Sequence, residues 1–336
     1  MMALILAIET SCDETSVAVV RDGVDVLANI ISSQIDVHKK FGGVVPEVAS
    51  RKHLELINGV IGEALDNSGT DFKSLDAVAV TNGPGLVGAL LVGVSAAKAM
   101  AYALDIPLIA VNHLEGHIYA NFLVEPDLAF PLVCLVVSGG HTDLLVMYGH
   151  GNYRVVGRTR DDAAGEAFDK VARAIGLGYP GGPLVDRLAQ NGDGTAIPLP
   201  RAYLEEGSLD FSFSGLKSAV INYLHNARQR GEEVNRSDLA ASFQQAVVDV
   251  LVDKTIEASL QYGAGTVLLA GGVAANRLLR SAMGEACARY NLRLVYPPPL
   301  LCTDNAAMIA CAGYFRYLRG DFADLTLNAV PNLELA

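Results

Sequence analysis

The chain has 336 residues, 51% of them hydrophobic and 18% charged. That apolar content excludes a disordered polypeptide, which lacks the area to offset its ordering entropy. Lys and Arg number 25 against 37 Asp and Glu, a net charge of −12, which excludes a free-standing nucleic-acid binder acting through bulk positive charge.

The length predicts two domains of roughly 150 residues each. Ala3–Glu9 and Thr15–Arg21 read as strands split by the polar loop 10–14. Asp22-Gly23 is a hairpin turn signal, and Val24–Ile31 is a third strand. Over Glu47–Asn67, apolar residues at 54, 57, 61 and 65 mark one face of an amphipathic helix. Ala77–Thr81 is a buried strand that runs into Asn82-Gly83-Pro84-Gly85, then a small-residue helix to about Ala103 and a strand at Pro107–Val111. The apolar start 1–8 has no basic segment and reads as a strand, not a signal peptide. Apolar runs such as Leu86–Val94 reach about half the ~20 residues of a membrane span, so no membrane is expected.

The same order then recurs. Strands are expected at Leu132–Val137, Asp143–Tyr148 and Tyr153–Arg158, with the polar loop Ser138-Gly139-Gly140-His141-Thr142 between the first two. A helix follows at Asp162–Ile175, and a Gly- and Pro-rich insertion occupies about Gly176–Arg236. Later come a helix near Ser237–Tyr262, a strand at Thr266–Leu269, a helix at Val273–Tyr290, a strand at Arg293–Tyr296 and a last helix at Asp304–Leu318. This element order predicts a duplicated α/β architecture, although the two halves share negligible sequence identity.

Five cysteines, at 12, 134, 287, 302 and 311, include no Cys-x-x-Cys pair. Neither a disulfide framework nor a zinc ribbon is expected, and a reducing, cytoplasmic setting fits best. Cys12 reads as a turn residue and the others as small core residues.

His113 and His117 are four residues apart, which on a helix places them about 40° apart in azimuth and about 6 Å along the axis. Such a pair can grip a metal ion; it can equally be two helix-surface histidines. Glu115 is misplaced for the H-E-x-x-H base of a metalloprotease. Thr303-Asp304 reads first as an N-cap and a helix-dipole partner. As a third ligand, Asp304 would complete a two-His, one-carboxylate set that favours Fe(II) and tolerates Zn(II).

Ala270-Gly271-Gly272-Val273-Ala274-Ala275-Asn276 joins a strand to a helix through a Gly pair, an order that suits nucleotide approach or a tight packing turn. Asn276 is a candidate for a ribose or base hydrogen bond. Asp161, Asp162 and Glu166 read as dipole partners at a helix start, and Asp169 as a candidate for sugar hydroxyls. The chain carries no Walker A motif; Gly83, Gly85 and Gly88 do fall at G-x-G-x-x-G spacing, but a Rossmann reading of this turn is set aside.

These motifs together resemble the universal tRNA threonylcarbamoyltransferase family of the bacterial TsaD type, once called sialoglycoproteases. The resemblance runs through Ile8–Thr15, Gly42–Glu47, Asn82–Leu86, the His113/His117 pair, Ser138–Thr142, Asp162–Lys170, Tyr179–Pro183, Asp210–Lys217, Ala270–Asn276 and Cys302–Asn305. It implies two RNase H-like lobes of the actin-like/sugar kinase/Hsp70 ATPase fold, with a cleft between them. Residues 1–110, joined by the C-terminal helix 304–330, would form the first lobe. Residues 111–303 would form the second, with the insertion at 176–236.

The resemblance implies transfer of a threonylcarbamoyl group from threonylcarbamoyl-adenylate to the exocyclic amine of the adenosine 3′ of the anticodon, releasing AMP. His113, His117 and Asp304 would hold one divalent metal ion, Fe(II) favoured and Zn(II) second. Val136, Val137, Ser138, Gly139 and Gly140 would contact the adenylate phosphate and threonylcarbamoyl end. Asp169 and Asp186 would bind ribose hydroxyls, and Gly182 and Asn276 would line the adenosine pocket. Ser11–Thr15 and Ser138–Thr142 would be the phosphate-facing loops, one per lobe. Asp13 or Glu14 is the candidate base, with a loop-shaping role as the alternative. Expected partners are tRNA, a degenerate paralogue on the N-terminal lobe and a small P-loop ATPase. For the tRNA backbone, Lys39-Lys40 with Arg51-Lys52 is one candidate surface and Arg154/Arg158/Arg160 another. The competing readings are an ATP-dependent small-molecule kinase of the same fold, a metalloprotease and a non-enzymatic scaffold.

Overall fold

The computed structural model describes residues 3–335. By internal contacts the chain divides into two compact units, one built from residues up to 128 and from 297 onward, the other from 129–296.

The first unit carries β1 (Leu4–Glu9), β2 (Glu14–Arg21), β3 (Asp25–Ser33), α1 (Ile35–His38), α2 (Pro46–Ser68), β4 (Ala77–Gly83), α3 (Val87–Leu104), β5 (Leu108–Asn112) and α4 (His113–Tyr119). The second carries β6 (Leu132–Val137), β7 (Thr142–Gly149), β8 (Asn152–Arg158), α5 (Ala164–Ala174), α6 (Gly181–Ala189), α7 (Ser214–Arg230), α8 (Arg236–Gln261), β9 (Thr266–Ala270), α9 (Arg277–Arg289) and β10 (Arg293–Val295). The chain then returns to the first unit with α10 (Pro299–Cys302) and α11 (Ala306–Arg319).

The first sheet runs β3-β2-β1-β4-β5 and the second β10-β9-β6-β7-β8. Read from the other edge, the second order is that of the first with every index raised by five. In both, the first three strands pair antiparallel and the last two add in parallel. The duplication expected from element order is therefore present in the strand topology.

In the first unit, alternate residues of the strands point to opposite faces. Leu6, Ile8, Val17, Val19, Val78 and Val80 join a core with Ile57, Val60, Ile61, Ala64 and Leu65 of α2. Burying one such aliphatic side chain contributes about 1.5–3 kcal/mol. Leu54, expected on that face, is 64% exposed, and His53 takes the interior position beside it. One helical step of about 100° separates the two, so the periodicity of Leu54, Ile57 and Ile61 pointed to the wrong neighbour.

The remaining differences are at boundaries. Residues 111–128 and 297–303 belong to the first unit, because α4 packs on α11. Gly116 permits the close approach: a Cβ there would lie 2.5 Å from Ile309 Cδ1. The expected helix Val273–Tyr290 is broken at Asn276, whose side-chain oxygen accepts from Leu279 N–H and starts α9. Asn305, not Thr303, caps α11, accepting from Met308 N–H, so Asp304 lies before the helix and outside its first turn.

α3 has the length and mean hydropathy (1.7) of a membrane span, which counting only the uninterrupted run Leu86–Val94 missed. Ala89, Leu90, Val92, Val94, Ala97 and Ala101 are nevertheless buried, as in a core helix packed on β4 and α2.

Candidate functional site

Two groups of expected site residues form, one in each unit. In the first, β5 delivers the chain into α4, where Asn112 Oδ1 accepts from Leu114 N–H and so fixes the helix start. His113 and His117 then share one face, their ring centroids 4.6 Å apart. Asp304 reaches the same place from the turn before α11, its Oδ1 3.2 Å from His117 Nε2 and 3.5 Å from His113 Nε2. One donor atom from each of the three lies within 4.8 Å of the others.

The surroundings fit a cation. Both ring nitrogens of His117 are buried with no hydrogen-bond partner, an arrangement that costs free energy unless something else takes a lone pair. Nδ1 of His113 lies 3.0 Å from Glu9 Oε2 and 3.1 Å from Ser11 Oγ. A carboxylate can only accept, so Nδ1 bears the proton and Nε2 faces Asp304, the orientation a ligating imidazole needs. Burial alone would lower the His113 pKa, but Asp304 and Glu9 outweigh it and push it up to about 9. Burial likewise works against the Glu9 charge, yet attraction to His113 keeps that carboxyl below its usual range. The pocket thus stabilises positive charge even with only a proton in it.

Glu9 is a residue that sequence reasoning missed. It is fully buried and also accepts from Ser11 N–H at 2.5 Å and Thr81 Oγ1–H at 2.6 Å. Its one signal was a charged residue ending an otherwise apolar strand. Glu115, midway between the two histidines in the chain, has its Oε2 held by Arg316 at 2.7 and 3.0 Å.

Asp13 lies in the β1–β2 turn and Glu14 is the first residue of β2. Burial, then Asp304 and Asp13, push the Glu14 carboxyl up to about 10, so it holds its proton near neutrality and does not suit a base. Burial and Asp13 also raise the Cys12 thiol, which rules against a thiolate nucleophile.

In the second unit, Val136 and Val137 are fully buried residues at the end of β6, Val136 paired with Asp143 on one side and Ala270 on the other. The turn after them is tied down: Ser138 N–H donates to His141 O, and Ser138 O accepts from Gly165 N–H at the start of α5. Gly139 and Gly140 at its tip are exposed, with open space around them. Gly271 has φ +87°, and a Cβ there would sit 2.5 Å from Val137 O, so the β9 turn must pass the strand end without a side chain.

Asp169 Oδ1 accepts from Gly181 N–H at 2.6 Å, and burial raises its pKa. Gly182 has open space beside it. Asp186 is paired with Arg277 Nε at 3.0 Å. Asn276 donates from Nδ2 to Gln244 Oε1 at 2.8 Å. Gln244, Asp186 and Arg277 help line a cavity of about 320 Å³. The other acids are structural: Asp161 accepts from Phe213 N–H and the Ser212 and Ser214 hydroxyls, and Asp162 pairs with Lys170 and Lys217.

Residues 25–311 match the TsaD family, described as tRNA N6-adenosine threonylcarbamoyltransferase. A protein of that name from Moorella thermoacetica is 64% identical over 331 residues, covering 98% of this chain and 97% of its own. One from Geobacillus kaustophilus is 63% identical over 332 residues, with 98% and 96% covered. Among solved structures, full-length HypF in its phosphate- and nucleotide-bound form is 16% identical with a TM-score of 0.63, over 94% of this chain and 46% of that one. Component A of (R)-2-hydroxyglutaryl-CoA dehydratase from Acidaminococcus fermentans is 13% identical with a TM-score of 0.53, over 95% and 99%. At such identities these structures speak to the fold alone, and they agree with two lobes of the actin-like/sugar kinase class.

Proposed function

Because this chain belongs to the TsaD family of tRNA N6-adenosine threonylcarbamoyltransferases, we propose that its transfer step uses threonylcarbamoyl-adenylate as donor and a divalent cation held by His113, His117 and Asp304. The chain is a transferase acting on tRNA adenosine. The observation that carries the metal reading is the convergence of three donors on a face where His117 has no hydrogen-bond partner. Two histidines and one carboxylate favour Fe(II), with Zn(II) second.

The donor is a mixed anhydride whose carbamoyl carbon is already activated. The adenosine N6 attacks that carbon, an N–C bond forms, and the C–O bond to phosphate breaks with its electron pair leaving on AMP. The N6 proton passes to Asp13, with Glu14 next to it in the chain. No covalent enzyme intermediate is needed, and orientation of the two reactants supplies about 7–11 kcal/mol. When bound, the cation supplies Lewis-acid polarisation of the donor's oxygens.

Adenylate recognition falls to the second unit. Backbone of Val136–Gly140 takes the phosphate and threonylcarbamoyl end, Asp169 and Asp186 the ribose hydroxyls, and Gly182 and Asn276 the adenosine. The openness of Gly139, Gly140 and Gly182 supports this, since backbone there is free to approach an anion. For tRNA, Lys40 and Arg51 are the better surface: both are exposed, whereas Arg160 is paired with Glu205 and Asp210. So small a basic patch on an acidic chain favours a partner-supplied surface. A degenerate paralogue on the first unit and a small P-loop ATPase remain the proposed partners, in the cytoplasm where tRNA is modified. Exposed Leu54, Leu91 and Tyr102 on α2 and α3 support docking there.

Incubating the protein with tRNA and threonylcarbamoyl-adenylate, with its partners present, tests this reading. Mass analysis of the nucleosides should show threonylcarbamoyladenosine, lost after chelation and restored by Fe(II) or Zn(II). Full modification by chelated, metal-free protein would remove the cation from the reaction.

A further inference from the structure

The turn between β1 and β2 is held by its carbonyls. Ser11 O accepts from Leu86 N–H at 2.8 Å and Asp13 O from Gln34 N–H at 2.9 Å. Between them, Cys12 O lies 3.0 Å from Nε2 of His53. Three successive carbonyls are thus taken by three separate segments, and only the middle one is taken by a side chain.

His53 is fully buried in α2, on the face that packs against the sheet. Its other nitrogen, Nδ1, lies 2.8 Å from Thr15 Oγ1. A carbonyl can only accept, so Nε2 carries the hydrogen. Nδ1 then presents its lone pair to the Thr15 hydroxyl, and the ring is neutral with one defined tautomer. Burial, which lowers the His53 pKa, agrees with this. The ring spans from Cys12 to Thr15, on either side of Asp13 and Glu14. A buried imidazole bonded at both nitrogens has no rotational freedom left, so it transmits the rigidity of α2 to the turn.

We infer that His53 is a positioning residue for the transfer, fixing the turn that presents Asp13 and Glu14. The inference rests on the proposed role of Asp13, and it adds a residue that touches neither substrate nor cation.

The test compares His53→Leu, His53→Gln and Asp13→Asn in the complete transfer assay. His53→Leu removes the donor to Cys12 O, whereas the Gln amide keeps a donor at similar reach. His53→Leu should lower kcat about 10–100-fold, as expected for displaced reacting groups, with the adenylate KM within about twofold and metal content unchanged. His53→Gln should recover most of that loss. If His53→Leu does not fold, His53→Asn, whose shorter amide falls short of Cys12, takes its place. An unchanged kcat, a change confined to KM, or a Gln variant no better than Leu overturns the inference. Asp13→Asn separates the two ideas. Wild-type kcat in that variant removes the base role of Asp13, whereas an inactive Asp13→Asn beside a fully active His53→Leu removes only the role of His53.

Discussion

Oε2 of Glu9 lies 3.0 Å from Nδ1 of His113, joining the end of the first strand to the first residue of α4. The contact sets which imidazole nitrogen is left to face Asp304. Glu9→Gln keeps the shape but weakens the acceptor. It should lower metal affinity about 10–100-fold, the usual effect of losing a ligand's outer partner. Competition with a chelator of known affinity checks this, and an unchanged affinity would count against the orientation argument.

Metal uptake should depend on pH through His113. Its pKa is pushed up to about 9 by Asp304 and Glu9, so below that pH a cation must displace a proton. Apparent affinity should rise about tenfold per pH unit and flatten near pH 9. Titrations across that range, with proton release followed in weak buffer, report the slope. A flat profile would mean that His113 is not a ligand.

Glu14 should make metal-free protein lose stability as pH rises. Its folded pKa, about 10, lies above the ordinary glutamate value of 4.5, so between those values the folded state holds a proton that the unfolded chain has released. The contribution is fully present below the unfolded pKa and is lost as pH climbs toward the folded one. Urea melts of chelated wild type at about pH 5 and about pH 8 should show the fall, and Glu14→Gln should flatten it.

Gly165→Ala places a Cβ 2.4 Å from the Ser138 carbonyl oxygen, a backbone atom that cannot step aside cheaply. It should destabilise the second unit by about 1–3 kcal/mol. By shifting the Ser138 turn it should also weaken adenylate binding without altering metal content. Calorimetric titration beside elemental analysis separates the two effects.

Asn276 has two jobs: its Oδ1 caps α9, and its Nδ2 satisfies Gln244. Asn276→Ala loses both and should cost about 1 kcal/mol for the cap alone. Asn276→Asp keeps the cap and loses the donor. Weaker adenylate binding in Asp as well as Ala would trace recognition to the amide. A loss confined to Ala would make Asn276 a helix cap only.

Much of the fold was legible because its signals are local. The hairpin turn at Asp22-Gly23 needs left-handed backbone, and both residues adopt it, with φ 52° and 74°. The strands around it are apolar runs bounded by turn residues, and they form close to where those runs end. Helix starts were less legible. Thr303 and Asn305 are both good caps, and only the path of the chain into α11 selects Asn305. On α2, an apolar count favoured Leu54, whereas the interior position went to a histidine that hydrogen bonds make tolerable there.

By itself, then, the sequence determined the two-fold order of strands and helices, and it put His113 and His117 on one helical face, because periodicity and turn chemistry act over a few residues. Its motifs also identified the family. Only the tertiary structure decided that Asp304 meets those histidines, that Glu9 orients one of them, and that His53 reaches the turn beside Asp13. Each of these contacts joins segments far apart in the chain, and their meeting depends on how α4, α11 and α2 pack against a shared sheet.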